Sequence, residues 1–196
     1  MSHSTIPGYT YGEPDLARSP VSLEDLGLLT ATVMFGPDDE ASLRRAGAVL
    51  DGQIDDVLDV WYGYVGANPH LLASFTDAGG QPIGAYLDRV RARFGQWIRD
   101  LCNRPFDQSW LDYQEEIALR HARERKNSAD QVASTDEIPM RYLVALIFPI
   151  TATIRPFLAN GAVDDEELDK MHMAWFKAVT LSVVLWCRPY VRSGSW

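Results

Sequence analysis

The chain has 196 residues, 46% hydrophobic and 23% charged, a composition typical of one globular domain large enough to enclose a bulky ligand. Its net charge of −9, without a long cluster of Lys and Arg, argues against nucleic-acid binding. Its two cysteines, Cys102 and Cys187, form no CxxC or CxxCH motif, which argues against zinc ribbons and c-type haem attachment. We expect both thiols to be reduced, although the sequence leaves a disulfide open.

No charged region followed by an apolar stretch is found at the N-terminus, so no signal peptide is expected. The longest apolar run, residues 142–154, is too short to cross a bilayer and contains Pro149. We therefore expect a soluble, cytoplasmic protein that does not bind a membrane.

The first predicted helix follows an irregular, Pro- and Gly-rich extension of residues 1–20. Ser22 is a suitable N-cap, and Gly36-Pro37 ends the helix. Apolar side chains then recur at steps of three and four residues from Leu43 to Val65, which predicts one long helix.

Two further helices are predicted before residue 103. Asn68-Pro69 can start a short helix that runs through Phe75, and the Gly pair at 79–80 forms a loop after it. Apolar residues from Leu87 to Leu101 share one face of the next helix.

Three helices are predicted in the rest of the chain. Asp107 caps a helix that carries His121, and a polar loop covers residues 127–137. Pro139 suits the first turn of a helix that reaches about Leu158 and kinks at Pro149. The acidic run 164–167 favours the start of a last helix. The sequence thus predicts an all-α domain of seven or eight helices.

His121 is the strongest candidate among four histidines. It shares a helix face with Ile117 and Ala118, so its ring is expected to point into the core, where both nitrogens need partners. On spacing alone, a hydrogen-bonded core histidine is favoured over a metal ligand. His3, His70 and His172 are expected in the N-terminal tail, on the surface and in the core or an interface, respectively.

Two aromatic positions are further candidates for a ligand pocket. Trp61 and Tyr62 together cover a broad inward sector of their helix, where Tyr62 could donate a hydrogen bond to a polar ligand. Phe94 lies on an apolar face, and neighbouring Arg93 could bind a carboxylate. Core packing for the aromatic residues and solvation for Arg93 are the simpler explanations.

Six runs of sequence resemble the protoglobins, single-domain relatives of globin-coupled sensors. They are IPGYTYG (6–12), WYGYVG (61–66), RVRARFGQWI (89–98), WLDYQEEIALRH (110–121), RYLVALIFPITATIRPFLA (141–159) and AWFKAVTLSVVLWCRPYV (174–191). They follow the family's order over nearly the whole chain.

The resemblance implies a globin-like fold with an extra N-terminal helix, in which an extension (1–20) packs on the globin domain (21–196). It implies haem b held by His121, with Trp61, Tyr62 and Phe94 on the distal side. With haem bound there, the carboxylate within reach of Arg93 could be a haem propionate. Leu146 and Ile150 would line the distal side and the tunnels, and Leu146 stands where some relatives have a bulky aromatic residue.

The resemblance also implies a function and an assembly. The haem iron would reversibly bind O2, CO or NO, for gas binding or sensing, and the last two long helices would form a homodimer. A haem enzyme, such as an NO dioxygenase or a peroxidase-like protein that also transfers carbenes or nitrenes, is the alternative. The simplest alternative is a helical interaction protein without a cofactor.

Overall fold

The computed structural model describes residues 6–192 and 194–196, so His3 lies outside the described residues. This part of the chain folds into eight α-helices with no strand, which confirms the predicted all-α class. The helices are α1 (Leu23–Thr32), α2 (Pro37–Leu50), α3 (Ile54–Ala67), α4 (Pro69–Leu72), α5 (Gly84–Asn103), α6 (Gln108–His121), α7 (Met140–Ala159) and α8 (Asp165–Trp186). Single 3₁₀ turns occupy Asp51–Gln53, Ala73–Phe75 and Arg188–Tyr190.

Two predicted helix starts are confirmed by their hydrogen bonds. Ser22 and Asp25 form a reciprocal capping box at the start of α1. Asp107 accepts a hydrogen bond of 3.0 Å from the backbone N–H of Trp110, at the start of α6. These bonds satisfy amide groups that have no partner within their own helix.

The prediction of one long helix from Leu43 to Val65 is wrong, because the helix breaks after Leu50. A 3₁₀ turn at Asp51–Gln53 separates α2 from α3, and Gln53 leaves the helical region at φ −122° and ψ 4°. Gly52 lies at the break, where glycine disfavours a continuous helix. Leu50 and Ile54 on either side remain buried, so the predicted apolar face survives the break.

The core is centred on α8, which packs against α2, α6 and α7. Met171, Trp175 and Val179 of α8 are essentially inaccessible to solvent. A second, smaller cluster joins Leu26 of α1 to Trp110 and other residues of α6 and α8. Helix α1 is therefore an outer helix added to the main bundle.

The described part of the N-terminal extension lies against the helices. The Tyr9 hydroxyl donates a hydrogen bond of 2.7 Å to Asp100 of α5, and the backbone N–H of Ser19 donates one of 2.8 Å to Asp112 of α6. Tyr9 also packs edge-on against Tyr113 of α6. The extension is thus fastened to α5 and α6.

Helix α7 has the length and apolar composition of a membrane-crossing helix. It extends beyond the apolar run 142–154 that was read from the sequence. Only 17% of its most apolar stretch is buried within the described part of the chain, so α7 is not a typical core helix. Proline lies within it at positions 149 and 156.

Candidate functional site

One cavity brings together all seven residues that the sequence singled out. Its volume of about 210 Å³ is many times the space that one buried water requires, so it is no ordinary packing defect. Its lining includes the seven predicted residues Trp61, Tyr62, Arg93, Phe94, His121, Leu146 and Ile150. Helices α3, α5, α6 and α7 therefore converge on one largely apolar space.

His121, the last residue of α6, lies in the wall of the cavity with one ring nitrogen occupied. Its Nδ1–H donates a hydrogen bond of 2.7 Å to the carbonyl of Ile117, one turn earlier. Because a carbonyl only accepts, this bond selects the tautomer with the proton on Nδ1 and leaves the lone pair on Nε2. Nε2 has no hydrogen-bond partner among the described residues.

Burial keeps the His121 ring neutral. It lowers the pKa of His121 to about 4, the nearby charges of Lys126 and Arg120 lower it too, and the bond to Ile117 acts in the opposite direction. A neutral imidazole with a free nitrogen is the form that binds a metal.

Trp186 of α8 holds the His121 ring in place, a role that the sequence did not reveal. The two rings stack at 5.2 Å between centroids, with an angle of 19° between their planes. The Trp186 indole N–H in turn donates a hydrogen bond of 2.9 Å to Gln114 of α6. The contact of Trp186 with His121 depends on how α6 and α8 pack.

Aromatic side chains of α3 and α5 form another wall of the cavity. Trp61 packs edge-on against Phe94, with centroids 5.7 Å apart. Tyr62 lies beside them, and its hydroxyl makes no hydrogen bond with any described residue. Burial raises the pKa of Tyr62 well above its usual value, so the hydroxyl keeps its proton at neutral pH. It is therefore available as a donor to a ligand.

Helix α7 contributes apolar side chains to the cavity. Leu146 and Ile150 lie four residues apart, one above the other on the same face, and both line the cavity. Leu143 on the same helix also contributes. This wall offers no hydrogen bond to a ligand and would exclude water from it.

Arg93 lines the cavity at its charged end, where it is paired with a carboxylate. Both terminal nitrogens of its guanidinium donate to Asp130, at 3.1 and 2.5 Å, and one of them also donates to the carbonyl of Pro7. Arg89 forms a second ion pair with Asp130. The guanidinium thus fastens both the N-terminal extension and the 122–139 loop.

Lys126 lies in the same charged end of the cavity, a position that its local sequence does not indicate. Its Nζ donates hydrogen bonds to the Ser74 carbonyl at 2.9 Å and to the Tyr86 hydroxyl at 3.2 Å. The residue is only 3% exposed. Burial lowers the pKa of Lys126 to about 8, and the charge of Asp130 acts in the opposite direction. The ammonium is therefore protonated in most molecules at pH 7.

The other two described histidines make different contacts. His70 packs against Tyr142 at 5.2 Å, and its surface position agrees with the sequence expectation. A ring nitrogen of His172 lies 2.8 Å from the carbonyl of Thr151, as expected for a hydrogen-bonded histidine between packed helices.

The chemistry of the residues that line the cavity fits an iron porphyrin. The described residues contain no group of three His, Cys, Asp or Glu side chains that could hold a bare metal ion. A porphyrin supplies four nitrogens of its own and needs only one axial imidazole, which His121 offers through Nε2. The apolar walls suit the flat ring, and the cations Arg93, Arg120 and Lys126 suit its carboxylates.

The comparison with protein families decides the assignment. The family model described as Protoglobin matches residues 22–196, most of the chain. The chain belongs to the protoglobin family. Membership implies a haem cofactor and small gas ligands at its iron. A search of curated proteins gives no match to this protoglobin.

Proposed function

We propose that this protoglobin holds haem b through Nε2 of His121 and reversibly binds O2, CO or NO at the iron, for gas binding or sensing. The observation that carries the proposal is the hydrogen bond of 2.7 Å between His121 Nδ1 and the Ile117 carbonyl. Because the Nδ1–H donates to the Ile117 carbonyl, the lone pair on Nε2 can bind a metal within the cavity.

The side chains around the cavity would then have separate tasks. A bound haem supplies an iron that accepts one exogenous ligand. Trp186 fixes the plane of the His121 ring, and the Tyr62 hydroxyl donates a hydrogen bond to a ligand that carries partial negative charge. Trp61, Phe94, Leu146 and Ile150 keep water away from that ligand. The hydrogen bond favours a polar ligand such as O2.

Gas binding is tested on the purified, haem-loaded protein. Flash photolysis of the CO complex and rapid mixing of the reduced protein with O2 should give saturable, reversible binding. The enzyme alternative is tested by steady turnover of NO with O2, or of peroxide with a reducing substrate, each compared with free haemin. Turnover far above that of haemin would favour an enzyme over simple reversible binding.

We also propose that the chain forms a homodimer through α7 and α8. Val144 and Phe148 lie four residues apart on α7 and are exposed, Phe148 to 77%. Met173 and Phe176 form a similar exposed strip on α8. Large apolar side chains on two packed helices favour burial against a second copy, as in a four-helix bundle.

The dimer is tested by Phe148→Asp, which places a charge on the exposed strip of α7. Sedimentation should show a dimer for the native chain and a monomer for the variant, with unchanged helical circular dichroism. A native chain that sediments as a monomer at micromolar concentration would contradict the proposal.

Location in the cytoplasm is a further proposal, which cell fractionation tests.

A further inference from the structure

Lys126 is a buried cation that forms no ion pair of its own. It is almost inaccessible to solvent, and it makes no ion pair with any carboxylate in the described part of the chain. Asp130, the carboxylate whose charge raises the pKa of Lys126, is already paired with Arg89 and Arg93. A buried ammonium of this kind is unfavourable unless an anion accompanies it. The two groups that it contacts directly, the Ser74 carbonyl and the Tyr86 hydroxyl, are neutral.

The other two cations of the cavity are paired. Arg93 is held by Asp130 through two hydrogen bonds. Arg120 donates to Glu116 at 2.7 Å and also to the carbonyl of Gly8. Lys126 is therefore the cavity cation with unused binding capacity among the described residues.

Counting donors shows what that capacity is. A lysine ammonium has three N–H donors, and Lys126 uses two of them, on Ser74 and Tyr86. The Tyr86 hydroxyl accepts the hydrogen bond from Lys126, while its own O–H has no acceptor among the described residues. One N–H and one O–H thus remain free on atoms 3.2 Å apart. Two adjacent donors suit the two oxygens of a carboxylate.

We propose that Lys126 Nζ and the Tyr86 hydroxyl together bind one propionate carboxylate of the haem. This inference rests on the proposed haem function, and it names residues from two distant elements, α5 and the loop after α6. The propionate would give Lys126 the ion pair that it lacks among the described residues. Arg93, for which the sequence suggested a carboxylate partner, would instead hold Asp130 and the N-terminal extension.

The test compares haem b with its dimethyl ester, which has the same ring and iron but no carboxylate charge. Dissociation of each from the native protein, Lys126→Met and Tyr86→Phe is followed by absorbance during transfer to an excess of a haem scavenger. Lys170→Met, at an exposed lysine paired with Glu166, is the control for the lost charge.

We expect Lys126→Met to release haem b about ten- to hundredfold faster than the native protein, and Tyr86→Phe to have a smaller effect in the same direction. The dimethyl ester should leave Lys126→Met and the native protein at similar rates, because it has no carboxylate to lose. Lys170→Met should behave as the native protein with both ligands. A purely structural role of Lys126 would instead speed the release of both ligands equally.

Two outcomes overturn the inference and differ from failure of the haem proposal. If the native protein binds haem b and Lys126→Met releases it at the native rate, Lys126 does not bind a propionate. The same holds if Lys126→Met affects haem b and the ester alike. A native protein that fails to bind haem refutes the proposed function itself. If Lys126→Met does not fold, Lys126→Gln and Tyr86→Phe allow the same comparison.

Discussion

Replacing Tyr62 by Phe removes one hydroxyl from the cavity and leaves the ring in place. In the described structure this hydroxyl makes no hydrogen bond, so the substitution leaves no protein group without a partner. The haem-free variant should therefore unfold at nearly the same temperature as the native chain. A change in ligand binding by Tyr62→Phe would therefore come from the loss of the hydroxyl and not from altered folding.

The expected effect on O2 follows from the strength of that hydrogen bond. A bond to a partly charged acceptor contributes about 1.5–3 kcal/mol, and every 1.4 kcal/mol corresponds to about a factor of ten in an equilibrium constant. Tyr62→Phe should therefore bind O2 about ten- to hundredfold more weakly, mainly through faster dissociation. CO carries less charge on its oxygen, so its affinity should change by less than about threefold.

The assay is stopped-flow displacement of O2 by CO from the reduced, haem-loaded protein. Tyr64→Phe is the matched control, because Tyr64 lies on the same helix but is exposed to solvent. Equal changes for O2 and CO, or an unchanged O2 dissociation rate in Tyr62→Phe, would refute the hydrogen bond.

Three glycines allow predictions about the N-terminal extension and the packing of α2 against α5. At Gly8 (φ +75°) an added Cβ would lie 2.7 Å from Arg93 Nη1, whereas at Gly12 (φ +77°) it would meet nothing within 4 Å. Gly8→Ala should therefore loosen residues 6–11 and speed their amide hydrogen exchange more than Gly12→Ala does. Gly12→Ala carries only the backbone penalty of about 1–2 kcal/mol. Equal exchange rates in the two variants would show that the contact with Arg93 does not hold the extension. At Gly47 an added Cβ would lie 2.6 Å from Cys102 Cβ, so Gly47→Ala should lower the free energy of unfolding by about 1–3 kcal/mol in urea titration. An unchanged urea midpoint would show that α2 and α5 can move apart freely.

The starts of two helices could be predicted from sequence because their capping residues bind amides only three residues away. Ser22 and Asp107 are side chains that cap amides within three residues, so their roles follow from sequence. The break after Leu50 was missed because the apolar spacing continues across it, although the backbone forms a 3₁₀ turn at Asp51–Gln53. Apolar spacing reports which face is buried, but it does not report whether the helix is continuous.

The site was predicted unevenly for a similar reason. The inward direction of His121 follows from its helix face, whereas the prediction that it binds iron came from the resemblance. Lys126 was missed because it stands in an Arg-rich stretch that is typical of a solvated helix end. Its burial depends on Ser74 and Tyr86, which are 52 and 40 residues away in sequence. No local pattern encodes contacts of that range.

The absorption spectrum of the reduced, haem-supplemented protein tests the axial role of His121 most directly. We predict that the native chain and His172→Gly show the spectrum of a haem bound to one imidazole. His121→Gly should lose that spectrum and regain it when free imidazole fills the space left by the ring. A His121→Gly spectrum identical to that of the native chain, without imidazole, would mean that another residue binds the iron.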